Sequence, residues 1–167
     1  RKFSCVIGNP PYVTISGKGN IYTSFVDNLI NYSDSNSCSS LIVPLSICYS
    51  QVAEFVNLRN RIFDERDAVW EFYNYDRSPD SLFGDQVKTR NTILFRTSNV
   101  GEKAFYTTGL QRWTSENRGG LFSNIKQVQF SRCGLSIIPK IATEIERIAF
   151  EKLSTGKNSI SQLCAKN

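Results

Sequence analysis

The tetrapeptide Asn9-Pro10-Pro11-Tyr12 contains the residues of this sequence whose types and spacing could perform chemistry. The two prolines fix the backbone φ angle at successive positions and remove two N–H donors, so the turn is stiff and its carbonyl oxygens remain available. The Asn9 side chain adds another acceptor oxygen. Two fixed acceptors on one turn suit a ligand with two N–H donors, which is an exocyclic amine or an amide.

An amino group held in this way would become a better nucleophile. The amino nitrogen of adenine is normally weak because its lone pair is delocalised into the ring. Hydrogen bonds from its two hydrogens to Asn9 Oδ1 and the Pro10 carbonyl would favour a tetrahedral nitrogen. They would also stabilise the positive charge that forms as a methyl group arrives. The Tyr12 ring could stack on the base, and neither a metal nor a covalent intermediate is required.

The elements around the turn alternate between strands and helices, which is typical of a sheet covered by helices. In open α/β sheets ligands bind outside the carboxyl ends of strands, and an apolar strand leads directly into the turn. Strands are predicted over residues 3–7, 41–45, 68–73 and 92–95, and helices over residues 21–32, 52–63 and 140–153. The strands over 68–73 and 92–95 are expected to pair as antiparallel neighbours.

Several details of these elements are also predicted from composition and spacing. Pro44 should end its strand because proline cannot donate into a central ladder. The serine-rich segment 33–40 and the polar segment 77–90 are predicted to be loops. Pro139 should open the last helix. The apolar stripe predicted for the helix over 21–32 consists of Ile21, Phe25, Leu29 and Tyr32, and that of the last helix of Ile141, Ile145, Ile148, Ala149 and Leu153.

Composition limits the classes of partner and compartment. The net charge is +5, from 20 basic and 15 acidic residues, which suits a nucleic-acid partner without requiring one. The five cysteines form no Cys-x-x-Cys pair, so neither a disulfide framework nor a zinc site is expected, and we predict a cytoplasmic protein. No apolar run approaches the roughly 18 residues of a membrane span. Because the chain lacks methionine, we interpret it as a piece of a longer protein.

The segment 6–13, Val-Ile-Gly-Asn-Pro-Pro-Tyr-Val, resembles motif IV of the amino-group DNA methyltransferases of bacterial restriction–modification systems. Weaker similarities to the large adenine-specific enzymes of this family lie in residues 21–25, 41–44, 82–84, 91–95 and from Ala104 onward. The resemblance implies the C-terminal part of the catalytic domain of an N6-adenine DNA methyltransferase. Its α/β, Rossmann-like methyltransferase fold would be present as the second half of a mixed sheet with flanking helices, plus a C-terminal helical extension.

The sequence pattern changes after Ser98 to a mixed basic and aromatic segment, which predicts a division near residues 99–103. Residues 1–100 would form the C-terminal half of the methyltransferase catalytic domain, and residues 101–167 a linker and the start of a target-recognition domain or helical extension. The family's S-adenosylmethionine site lies on a glycine-rich turn and an acidic strand end upstream of motif IV. Neither feature is present in this sequence, so the main cofactor-binding motif is expected outside the chain.

The resemblance also assigns roles to individual residues. Asn9, Pro10, Pro11 and Tyr12 would form the catalytic turn. The family often has an aromatic residue just before the position of Asn91, where this chain has Arg90. Phe83 is therefore the candidate for stacking on a flipped base, with core packing or loop anchoring as the alternative. Basic residues that flank the expected crevice are candidates for contacts with the DNA backbone, namely Lys88, Arg90 and Arg112.

The expected partners are double-stranded DNA and a restriction nuclease or specificity module, fused or separate, and no membrane. Two alternatives remain open. The same turn could hold a glutamine amide of a protein or an amino group of RNA, since both offer two N–H donors. The chain could also be a non-catalytic DNA-binding fragment.

Overall fold

A six-stranded mixed sheet carries the turn at one of its edges. The structure is a computed structural model, and it describes residues 2–16, 19–84, 88–134 and 136–155. The strands are β1 (Phe3–Gly8), β2 (Thr14–Ile15), β3 (Gly19–Asn20), β4 (Ser33–Pro44), β5 (Ala68–Tyr75), β6 (Asn91–Ser98), β7 (Lys103–Thr107) and β8 (Val128–Gln129). The helices are α1 (Ile21–Tyr32), α2 (Ser46–Tyr49), α3 (Ala53–Asp64) and α4 (Glu144–Thr155), with a 3₁₀ helix over Ser115–Gly120.

The strand order of the large sheet is β1-β4-β6-β5-β7-β8, and β2 and β3 form a separate two-stranded sheet. β1 runs parallel to β4, and β6 is antiparallel to both β4 and β5, as predicted for the pair β5 and β6. β4 ends at Pro44, as its missing N–H requires. This arrangement confirms the predicted mixed α/β sheet with flanking helices.

The main hydrophobic core lies between the sheet and the helices α1 and α3. Val43, Phe72 and Leu94 of the sheet and Val26 and Ile62 of the helices have no exposed side-chain surface. A smaller cluster around Tyr75, Ile93 and Trp113 packs beneath the loops that follow β5 and β7. Both clusters hold together the strands whose ends meet at the turn.

The inner face of α1 differs from the predicted stripe. The buried residues are Tyr22, Thr23, Val26 and Leu29, whereas Phe25 and Tyr32 are about half exposed. The helix therefore buries a polar threonine and leaves two aromatic residues outside. Apolar spacing alone could not distinguish the two stripes because both have helical periodicity.

The segment 33–40 is a strand and not the predicted loop. It forms the first eight residues of β4, and it pairs with β1 on one side and β6 on the other. Its buried serines have partners, since Ser37 Oγ lies 2.8 Å from Ser98 Oγ and Arg96 donates to Ser37. The prediction was wrong because serine composition favours a loop locally, while the ladder and these buried hydrogen bonds come from distant parts of the chain.

The last helix begins four residues later than predicted. α4 starts at Glu144, and the backbone N–H of Glu146 donates to Thr143 Oγ1 while the Glu146 carboxylate accepts from the N–H of Thr143. This is a capping box, and Thr-x-x-Glu in the sequence was its signal. Of its predicted apolar stripe, Ile141 is buried but precedes the helix, whereas Ile145 and Leu153 on the helix are more than three-quarters exposed.

The sheet continues past residue 100. β7 pairs in parallel with β5, and β8 extends the same sheet, so the predicted division near residues 99–103 falls at the turn between β6 and β7. The assignment of two domains stays a prediction. In the described part of the chain, no helix is both long and apolar enough to cross a membrane.

Candidate functional site

The catalytic turn predicted from the sequence lies at the carboxyl end of β1. The last paired residue, Gly8, is in register with Leu41 of β4, and the parallel direction of the two strands brings their carboxyl ends together. A Cβ atom at Gly8 would lie 3.1 Å from the Leu41 side chain, so glycine permits this close approach. We name this end of the sheet the crevice end and the opposite one the far end.

The two predicted acceptors are placed differently from each other. Pro10 is buried and anchors the turn, whereas Asn9 and Pro11 are exposed. The Asn9 side chain makes no hydrogen bond to any other described residue. An exposed amide oxygen on a turn fixed by two prolines is therefore available to a ligand.

The Tyr12 ring is fixed by contacts with three other elements. Its hydroxyl donates to the carbonyl oxygen of Ile42 in β4 at 3.3 Å. Its ring centroid lies 6.2 Å from that of Tyr22 in α1 and 6.1 Å from that of Phe83, with interplanar angles of 73° and 70°. Such inclined aromatic pairs are favourable. Burial raises the pKa of Tyr12 far above its ordinary value, so the hydroxyl stays neutral.

The structure thus brings Phe83 to the site, although it lies 74 positions after Asn9 along the chain. Phe83 lies in the loop between β5 and β6 and is partly exposed. Its ring is inclined to that of Tyr12, so the two rings do not form parallel walls in this structure. Tyr22 was not predicted from the sequence. Its ring forms, with those of Tyr12 and Phe83, a cluster that we name the aromatic group.

The loop after the turn is clamped by Glu54 of α3. The Glu54 carboxylate accepts hydrogen bonds from the Asn20 backbone N–H at 2.9 Å, from the Asn20 amide at 3.0 Å and from the Thr23 hydroxyl. Asn20 Oδ1 in turn accepts from Thr14 at 2.8 Å. Burial alone would raise the pKa of Glu54, but these hydrogen bonds outweigh it and keep that pKa below its ordinary value. Glu54 therefore fixes both the loop and the start of α1.

A basic pocket adjoins the aromatic group. Its volume is about 270 Å³, and it lies where β4 ends and β6 begins. Its lining consists of Pro44, Ser46, Tyr49, Arg77, Lys88, Thr89 and Arg90. The hydroxyl groups of Ser46 and Tyr22 lie 2.9 Å apart, so one hydrogen bond links the pocket wall to the ring that contacts Tyr12.

Asp76 organises two of the predicted DNA-backbone candidates. It follows β5 directly and its side chain is only 3% exposed. Nε of Arg90 donates to one carboxylate oxygen at 2.8 Å and Nε of Arg112 to the other at 3.1 Å. The hydrogen bond from Arg90 holds the pKa of Asp76 below its ordinary value. Asp76 was not predicted from the sequence, and the available signal was an acidic residue three positions after the predicted strand over 68–73.

A buried arginine braces the same end of the sheet. Arg59 of α3 is fully buried, and its guanidinium donates to the carbonyl oxygens of Ile47, Ser50 and Ser136. The segment around Ser136 is also tied to α2, because the N–H of Ile138 donates to the Cys48 carbonyl at 2.8 Å. Residues beyond 100 therefore help to shape the walls of the crevice end.

The first 78 residues match a known family. Residues 1–78 match the model of the Eco57I restriction-modification methylase family. This segment contains the Asn-Pro-Pro-Tyr turn, Tyr22, Tyr49 and Asp76. Among curated proteins, no sequence matches the chain.

Solved structures of restriction enzymes share the fold at low sequence identity. The structure of a DrdV–DNA complex matches with a TM-score of 0.66 and 13% identity, over 81% of this chain and 18% of that one. A nuclease-deletion mutant of the Type ISP restriction-modification enzyme LlaGI, in complex with a DNA substrate mimic, matches with a TM-score of 0.60 and 14% identity. That match covers 85% of this chain and 18% of the other.

The M protein of the Type I restriction enzyme EcoKI matches with a TM-score of 0.50 and 12% identity, over 69% of this chain and 27% of that protein. The chain therefore spans less than a third of the length of these relatives, and identities this low show the fold alone. Over residues 1–78, however, this chain carries the sequence pattern of the Eco57I restriction-modification methylase family, which confirms the resemblance predicted from the turn.

Proposed function

We propose that this chain supplies the acceptor side of a DNA methyltransferase of a restriction–modification system, which transfers a methyl group from S-adenosylmethionine to adenine N6. The observation that supports this most strongly is the exposed Asn9 side chain, which bonds to no described residue and stands on a proline-fixed turn that also carries Tyr12. The match of residues 1–78 to the Eco57I restriction-modification methylase family supports the reaction class.

The acceptor chemistry follows from the positions of the hydrogen-bond acceptors. Asn9 Oδ1 and the Pro10 carbonyl accept one hydrogen bond each from the amino group, which directs the nitrogen lone pair towards the incoming methyl group. If a bound donor supplied the methyl group, the nitrogen would form the new bond to carbon, the donor sulfur would keep the electron pair of its broken carbon–sulfur bond and the nitrogen would lose one proton. The two acceptors stabilise the positive charge on nitrogen until the proton has left. Pro10 and Pro11 keep the acceptors fixed throughout.

The described residues do not supply a binding site for S-adenosylmethionine. The family binds this cofactor on a glycine-rich turn after a strand, and none of the described turns of this chain has that composition. Gly8 ends β1, but the two prolines follow it within three residues. When bound, the cofactor supplies the methyl group, and we assign its main binding motif to residues outside this chain.

A base must leave the duplex to reach the turn. Tyr12 would then contact the flipped adenine, and Phe83, which touches Tyr12, is the candidate for a second stacking surface. Lys88, Arg90 and Arg112 would contact the phosphates of double-stranded DNA. A restriction nuclease or specificity module, fused or separate, is the further partner that we propose. Structures with this fold include a DrdV–DNA complex, which supports DNA as the substrate.

The substitution Asn9→Ala in the full-length protein tests the proposal. We expect kcat for methylation of adenine in duplex DNA to fall about 10²–10³-fold, because one of two groups that stabilise the reacting nitrogen is lost. The melting temperature should not change, since Asn9 is exposed and bonds to no described residue. Asn9→Asp should retain part of the activity because a carboxylate oxygen accepts the same hydrogen bond.

Asn28→Ala is the matched control, since it removes another exposed asparagine, on α1, and should leave kcat unchanged. Duplex DNA, RNA and a glutamine-containing protein should be offered in parallel as acceptors. Methylation of RNA or protein in preference to DNA would overturn the choice of substrate. Unchanged DNA methylation by Asn9→Ala would overturn the role of the turn.

A further inference from the structure

The basic pocket between α2 and the loops around β5 and β6 is lined by two arginines that the fold leaves exposed, Arg77 and Arg90. Its volume is about 270 Å³, Lys88 also lines it, and none of the described residues that line it is acidic. The positive fields of the two arginines add within one concavity, which favours an anion there.

Asp76 does not neutralise the pocket but orients one of its walls. Its carboxylate lies behind Arg90, almost fully buried, and binds that residue only through Nε. Asp76 also binds Arg112, so one negative charge is shared by two arginines. The terminal nitrogens of Arg90 make no hydrogen bond to a described residue and remain available as a fork, the geometry that binds phosphate in a bidentate manner.

Tyr49 forms the apolar wall of the pocket and is held in place by a further cation. Lys140 lies 4.8 Å from the centre of the Tyr49 ring, within the range of a cation–π contact. Lys140 therefore adds positive charge beside the pocket. The wall is open to solvent, since nearly half of the Tyr49 surface is exposed.

The pocket lies close to the Asn-Pro-Pro-Tyr turn along β4. Pro44 of the pocket lies two residues beyond Ile42, whose carbonyl accepts from Tyr12. At about 3.3 Å per strand residue, the two points on β4 are about 7 Å apart. An anion in the pocket would thus lie close to a base held at Tyr12, as a backbone phosphate near that base would.

We infer that the pocket of Tyr49, Arg77, Lys88 and Arg90 binds one phosphodiester of the DNA strand that carries the target base. This inference rests on the proposed function and deepens it, because it names the part of the substrate that each wall contacts. The bound phosphate fixes the position of the flipped nucleotide relative to Asn9. Asp76 is a positioning residue, since it acts only through Arg90.

Arg77→Gln in the full-length protein tests the pocket, and Arg66→Gln is its matched control. Both arginines are exposed and lie just outside opposite ends of β5, so they are more than about 20 Å apart. Arg77→Gln should weaken binding of duplex DNA about tenfold and reduce the slope of log Kd against log salt by about 1. Arg66→Gln should change neither quantity.

Scanning the duplex with single methylphosphonates identifies the phosphate itself. One position near the target adenine should weaken binding by the wild type about tenfold and have a clearly smaller effect on Arg77→Gln, because one of the partner charges has already been removed. Equal effects of Arg77→Gln and Arg66→Gln, or additive effects at every phosphate, would overturn the pocket. If the pocket is overturned but methylation of DNA still depends on Asn9, the proposed function survives. If the wild type does not methylate DNA at all, the proposed function itself is refuted.

Discussion

The two ends of the sheet both carry arginine–carboxylate pairs, but they use them differently. At the far end, Arg96 of β6 is 5% exposed, and all its nitrogens are engaged. Its Nε donates to Glu65 at 3.1 Å, one terminal nitrogen donates to Ser98 at 2.7 Å and to Ser37 at 3.2 Å, and the other donates to Glu65. At the crevice end, Arg90 and Arg112 each donate to Asp76 through Nε alone.

The difference separates a structural network from the surface that we propose binds DNA. A network whose donors are all satisfied inside the fold has nothing left to offer a ligand, and its buried charges are stabilised by each other. The crevice end retains donors on the surface, since the terminal nitrogens of Arg90 make no hydrogen bond to a described residue and the side chain is about half exposed.

Replacing an arginine at each end gives the largest expected contrast. Arg96→Met should lower the free energy of unfolding by about 3–5 kcal/mol, because Glu65 would lose its partner in a buried pair. Arg90→Met should lower it far less, since Arg90 is half exposed and its ion pair is screened by solvent. Urea denaturation measures both values. Similar losses for the two variants would show that the ends do not differ in this way.

Replacing Tyr12 tests whether an aromatic residue at the crevice end contributes to DNA binding. Tyr12→Ala should raise the Kd for DNA with an unpaired target adenine about 10–100-fold, if its ring contributes the roughly 1–3 kcal/mol of a base–aromatic stack. Tyr12→Phe should stay within about fivefold of the wild type, because it loses only the hydrogen bond to Ile42, worth about 1 kcal/mol. An equal loss in both variants would assign the role to the hydroxyl and contradict base stacking.

The smallest expected effect concerns Asp76 and depends on pH. At pH 7, Asp76→Asn should reduce the free energy of unfolding by about 1–2 kcal/mol, since two arginines lose a charged acceptor. Folding lowers the pKa of Asp76, so its contribution is complete above the unfolded-state pKa of about 3.9 and is lost as pH falls through the lower folded-state value. The gap between wild type and variant should therefore be constant from pH 7 to about 5 and shrink below about pH 4. Denaturation curves across this range would contradict the role of Asp76 if the gap did not change.

The sequence by itself determined the elements that local pattern specifies. The apolar runs of β1 and β5 and the end of β4 at Pro44 follow from composition and from the missing proline N–H. The range of α1, residues 21–32, was also correct. The chemistry that we propose for the Asn-Pro-Pro-Tyr turn also rests on four adjacent residues, because its acceptors belong to one rigid segment.

Only the tertiary structure decided which distant residues complete the site. Phe83 lies against Tyr12, and Asp76 joins Arg90 to Arg112. These contacts form because β1, β4 and β5 end, and β6 begins, at the crevice end of the sheet. The serine-rich half of β4 is a strand for the same reason, since its buried hydroxyls bond to β6. Local composition does not indicate such partners, because residues far apart in the sequence can lie side by side once a sheet has formed.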